Sequence, residues 1–159
     1  WVNKRSSCAA PFLPDCHNNA GYKRIFNTSD PVEAGNYFTT ESINNWECND
    51  GYNATLDQFY CKLSIHNSHE AELQKCENTV ISEFNHGFNC SYTVEYVNCM
   101  TKVYLQYCGV AAGRWGCNIA EVAMKADVPM CVASLPACGS TKFEQPDPLD
   151  SIRHPKRLV

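Results

Sequence analysis

Short-range cysteine pairs are missing from this sequence, although it has 11 cysteines in 159 residues. The gaps between successive cysteines are 8, 32, 13, 15, 14, 9, 9, 9, 14 and 7 residues, with no C-x-x-C or C-x-x-x-x-C pair. Zinc ribbons and fingers take two ligands from one tight turn, so this spacing argues against a structural metal. Apolar runs near the ~20 residues of a membrane span are also missing, as are a leader-like segment and a hydrophobic anchor tail. Positive charge is scarce. Thirteen Lys/Arg face 17 Asp/Glu, a formal net charge of −4, whereas a nucleic-acid binder needs a basic face. The deficit lies in residues 1–139, with nine Lys/Arg against fourteen Asp/Glu; residues 140–159 have four against three.

Catalytic signatures are equally thin. There is no G-x-S-x-G, no H-E-x-x-H, no phosphate-binding glycine loop and no His-Asp dipeptide. His66-Asn67-Ser68-His69-Glu70 places two imidazoles and a carboxylate in five residues. Their i, i+3 spacing does not match the i, i+4 spacing of a helical zinc site, and the segment reads as a polar turn. The stretch Cys108–Cys117, rich in Gly and Ala, reads as a place where two helices approach closely. These absences predict a chain that is not an enzyme and carries no cofactor.

What is present points outside the cytosol. A cysteine density this high without metal spacing predicts disulfides made in an oxidising compartment. Three sequons, at Asn27, Asn53 and Asn89, fit N-glycosylation of an exported chain. The third has Cys90 as its middle residue and is the least suited of the three. On this reading the chain is secreted, and Trp1 starts the mature form.

Periodicity predicts a mainly helical fold: a disulfide-stapled bundle of about four helices in one domain, residues 1–139. Residues 1–50 read as irregular, apart from a short helix near 30–38 capped by Asp30 with Pro31 at its first position. A helix over 55–66 has Thr55 and Gln58 as a capping box, with Leu56, Phe59, Tyr60 and Leu63 on one face. Asn67 and Glu70 read as a second box, opening a helix that ends at Gly87. A third helix starts near Ser91 and stops at Gly109. A fourth covers 111–126 and stops before Pro129, with Trp115, Ile119, Val122 and Ala126 inward. Residues 140–159, with three prolines, read as an extended tail. That tail is expected to dock on its own domain or a neighbouring chain through Phe143, Leu149 and Ile152, with Arg153, Lys156 and Arg157 facing the acidic body.

All eleven cysteines, Cys8, Cys16, Cys48, Cys61, Cys76, Cys90, Cys99, Cys108, Cys117, Cys131 and Cys138, are candidate disulfide partners. A Cys8–Cys16 bridge would close a local loop. Cys99 and Cys108 on one helix lie ~13 Å apart along the axis, too far to bond. Cys99 and Cys117 stand at similar heights across the turn at Gly109 and are the favoured pair; Cys61–Cys76 is a further possibility. An odd total leaves at least one thiol free or bridging two chains, so a disulfide-linked homodimer is also a candidate.

Tyr92, Tyr96 and Tyr104, with Tyr107 nearby, lie along one helix. They are either an aromatic core stripe or a binding surface, since tyrosine gives contact area at low entropy cost. Trp1, Trp46 and Trp115 carry the same two readings.

The run Asn89-Cys90-Ser91, Tyr96-Val97-Asn98-Cys99, Tyr107-Cys108-Gly109-Val110-Ala111-Ala112 and Trp115, followed by Cys117, Cys131 and Cys138, resembles the secreted cysteine-rich helical domains of nematodes. The resemblance spans about residues 48–138. It implies an exported helical module without known catalysis, and it transfers no site residues. The sequence thus predicts an extracellular protein-binding module, a ligand or receptor-binding factor. Its alternatives are a carrier of an apolar small molecule between helices, and a secreted enzyme or enzyme inhibitor.

Overall fold

A computed structural model describes residues 17–139. Among them are six α-helices, one 3-10 helix and no strand. Helix α1 (Asn19–Phe26) starts where the Asn18 side chain accepts a hydrogen bond from the Gly21 N–H, and ends at Asn27 in the left-handed conformation. Helix α2 (Pro31–Cys48) starts as the sequence predicts: Asp30 accepts from the Val32 N–H and Pro31 fills the first turn, where a missing donor costs nothing. Helices α3 (Tyr52–Asp57), α4 (Phe59–His86), α5 (Ser91–Cys108) and α6 (Val110–Asp127) follow, then a 3-10 helix at Pro129–Ser134.

Helix α5 packs between α4 and α6, α6 packs on α2, and α2 packs on α1. The core forms where α4, α5 and α6 meet, around Ile65, Val97, Met100, Val103, Ala112, Trp115 and Ala120. Trp115 is 1% exposed. Its indole N–H donates to the Thr55 hydroxyl at 3.0 Å, and its ring meets Tyr104 edge-on at 5.1 Å. Helices α5 and α6 approach closely because position 116 has no side chain: a Cβ there would lie 2.4 Å from the Tyr104 ring. Gly109, at φ 87°, makes the sharp link between the two helices in a conformation that favours glycine.

Four disulfides staple this packing: Cys61–Cys108, Cys76–Cys99, Cys90–Cys131 and Cys117–Cys138. The first two tie α4 to α5. The other two tie the segment after α6 back onto α5 and α6. Polar contacts add to them. Lys62 reaches Glu47 at 2.6 Å, joining α4 to α2, and the Thr39 hydroxyl donates to Asp127, joining α2 to the end of α6.

Several sequence expectations need correction. Residues 19–26 and 31–48 are helical, so the described part of the segment before residue 50 is mostly helix and not irregular, and the helix begun at Pro31 runs ten residues past 38. The chain does not reverse at Asn67. It continues through α4 with only a kink at His69 (φ −136°, ψ 18°). That continuity puts Cys61 and Cys76 about 22 Å apart along one helix and rules out their pairing. The Cys99–Cys117 bridge also fails. The similar heights expected from the sequence do not decide the pairing: Cys99 bonds to Cys76 on α4, and Cys117 to Cys138. A Cys8–Cys16 bridge and the docking of the 140–159 tail lie outside the described residues.

Candidate protein-docking face

The apolar stripe read from the sequence at residues 56–63 lies on the surface. Tyr52 is 51% exposed, Leu56 55%, Phe59 53%, Tyr60 80% and Leu63 46%. None of the five belongs to the core cluster. The chain bends at Gln58 (φ −96°, ψ 7°), which separates α3 from α4. Tyr52 and Leu56 therefore come from one helix, and Phe59, Tyr60 and Leu63 from the next. What faces inward here is a different set: Ala54, Thr55 under the Trp115 indole, and Ile65. Phe59 and Tyr60 touch each other edge-on at 5.4 Å, and both rings remain open to solvent. An aromatic side chain can bury about 150–250 Å², so Phe59 and Tyr60 together leave a large apolar area for a partner to cover.

A second aromatic cluster, on α1 and α2, differs in kind. Phe26 stacks on Tyr37 at 4.2 Å and on Tyr22 at 6.0 Å, so its exposed edges belong to rings already packed on one another.

The tyrosines proposed from sequence as binding residues are mostly interior. Tyr96 and Tyr104 are buried, and Tyr92 is half-buried against Phe84. Burial raises the phenol of Tyr104 to about 12, with a smaller push from Glu47 and Glu77. The phenol of Tyr96 is raised for the same first reason, with Glu77 and Asp127 adding to it. Both rings are core groups, which corrects the binding reading. Tyr107 is exposed; its ring stacks on His69 at 3.6 Å and its hydroxyl donates to Glu72.

The histidine cluster divides between two directions. His69, at the kink, points toward α5 and meets Glu72 at 3.3 Å. His66 stays on the open face and meets Glu70 at 3.6 Å. Among the described residues, no group of three or more His, Cys, Asp or Glu is placed to hold a metal ion.

Between α4 and α5 runs an open groove of ≈ 410 Å³. Its floor includes Val80, Tyr96 and the Cys76–Cys99 bridge, and Glu72, Lys75, Glu83, Glu95 and Lys102 rim it. Desolvation raises the Glu83 carboxyl above the ordinary carboxylate range, and the neighbouring Glu95 adds to the rise. Its lining is largely apolar, but the groove is open and its rim charged, so an apolar molecule held there would stay partly in water, unlike one enclosed in a carrier cavity.

Asn27, Asn53 and Asn89 are all exposed. The Asn89 carbonyl oxygen already accepts from the Ser91 N–H at 2.9 Å, and Cys90 beside it is bridged to Cys131. Asn53 follows Tyr52 on α3, so a sugar there would stand at the edge of the ridge. Cys48 is a free, half-buried thiol.

No helix among the described residues is long and apolar enough to cross a membrane. Comparison with protein-family models, curated proteins and solved structures found no match to this chain.

Proposed function

We propose that this chain is a secreted glycoprotein that acts as a non-catalytic, extracellular protein-binding module, a ligand or receptor-binding factor. It docks through the ridge formed by Tyr52, Leu56, Phe59, Tyr60 and Leu63. The carrying observation is that five large apolar side chains from two consecutive helices are exposed together beside a core held by disulfides. Interfaces concentrate binding energy in such aromatic anchors. A scaffold stapled at two points along the α4–α5 pair presents them with little ordering cost on binding. Four intrachain disulfides and three exposed sequons fit an exported protein, and so does the resemblance of residues 48–138 to secreted nematode domains.

The test is affinity capture from extracellular fluid and from cell surfaces, comparing the wild-type chain with a Phe59→Ser/Tyr60→Ser variant by mass spectrometry. A partner retained by the wild type and lost by the variant is the expected result. Identical partner sets from the two proteins would remove the ridge from the docking role.

A further inference from the structure

The charge around the ridge is one-sided. Between Arg24 and Lys75 the sequence has eight acidic residues and a single Lys/Arg, Lys62. That base is turned away from the ridge: its ammonium lies 2.6 Å from Glu47 on α2 and 5.5 Å from the Trp115 ring. Asp57 stands between Leu56 and Phe59 in the chain, and Asp50 precedes Tyr52. Both are exposed and hold no ion pair with another described residue. Along α4, Phe59, Leu63 and His66 follow one another at i, i+4 and i+7, and the exposed carboxylate of Glu70, just past the kink at His69, comes back beside His66 at the end of that row. Among the described residues, the His66 imidazole, 3.6 Å away, is the one basic side chain within ion-pair distance of Glu70. Over the whole described body, thirteen Asp/Glu outnumber seven Lys/Arg, a net of −6.

We infer that the partner surface taken by this ridge is cationic as well as apolar: an amphipathic protein segment presenting Lys or Arg beside Leu or Phe. The inference rests on the docking role proposed above and adds the chemistry of the partner. Apolar contact supplies the adhesion. The exposed carboxylates of Asp50, Asp57 and Glu70 then select for opposite charge and speed the encounter. Other occupants fit less well. An anionic membrane would be repelled by the same carboxylates, and a second copy of the chain would bring acidic rim against acidic rim.

The probe is a fluorescein-labelled amphipathic helical peptide of Leu, Phe and Lys, with a counterpart in which every Lys is replaced by Glu. Anisotropy titrations use the full glycosylated, oxidised chain. The Lys peptide should bind roughly tenfold or more tightly than the Glu peptide and weaken as salt rises. Asp57→Asn with Glu70→Gln should reduce that preference several-fold, and Tyr60→Ser should weaken binding of the Lys peptide.

Equal binding of the two peptides would overturn the inference and leave the docking role standing. So would Lys-peptide binding that ignores all three substitutions, because the contact would then lie elsewhere. Failure of both peptides to bind also overturns it, while the capture experiment tests the ridge independently of the partner's charge. Tyr60-dependent binding to phosphatidylserine vesicles, or Tyr60-dependent self-association, would overturn it in favour of a different occupant.

Discussion

Helix α6 and the α3–α4 junction carry apolar residues at helical spacing, and they meet opposite surroundings. On α6 the period sends Ala112, Trp115, Ala120 and Ala123 into the core. At the junction it sends Leu56, Phe59, Tyr60 and Leu63 to solvent. A helical period records that a face is apolar; it does not record what covers that face. On α6 the covering surface is supplied by α5 and α2. At the junction, α3 turns its small and polar residues inward, and no described element lies over the ridge.

The largest expected effect comes from the disulfides that hold the two regions. Cys61–Cys108 ties the ridge segment to the end of α5, and Cys117–Cys138 ties α6 to the chain that follows it. Each bridge contributes about 2–4 kcal/mol, and a whole domain is stable by only about 5–15 kcal/mol. Full reduction is therefore expected to unfold the chain, seen as loss of the far-UV helical signal at a temperature where the oxidised protein is folded. An unchanged Tm in reductant would show that packing alone holds α4, α5 and α6 together.

The same contrast explains what can be read from the sequence. The ends of α5 and α6 are legible to within a residue or so, because Gly109 and Pro129 are local stops. The start of α2 is legible from Asp30 and Pro31 for the same reason. Thr55 and Asn67 mislead because each resembles an N-cap in sequence. The Thr55 hydroxyl is taken by a tryptophan 60 residues away, and Asn67 sits inside a helix already under way, where no free N–H groups need a cap. Disulfide partners are the least legible. Equal height across a hairpin does not decide which neighbouring helix a side chain faces, and for Cys99 that neighbour is α4. The ridge is visible in the sequence as a stripe, but its period alone does not say what covers it. The scarcity of bases around it is the one sequence signal that it faces water.

Substitution in the core should give the next largest effect. Trp115→Ala removes a ring packed edge-on against Tyr104 and leaves a cavity, at a cost of about 3–5 kcal/mol. Ile65→Ala, at a position with no exposure, should cost about 2–5 kcal/mol. Urea unfolding midpoints at constant slope would measure both. A loss below about 1 kcal/mol at either site would mean that this core is not close-packed.

The smallest expected effect tests the comparison most directly, because it lies two residues from Ile65 on the same helix. Leu63→Ala deletes the same number of carbon atoms as Ile65→Ala. Leu63 is 46% exposed and lies outside the core cluster, so the deletion leaves no cavity and should change stability by about 0.5 kcal/mol or less. The slightly better helix propensity of alanine offsets part of the lost contact. In a thermal scan this is a Tm shift of about 1–2 °C. The pair then separates two states of the ridge. If Leu63→Ala is near-neutral while Ile65→Ala is costly, the apolar face is open in the free protein and available to a partner. If both cost the same, Leu63 is covered in the free chain, and the ridge is part of the fold and no longer a docking surface.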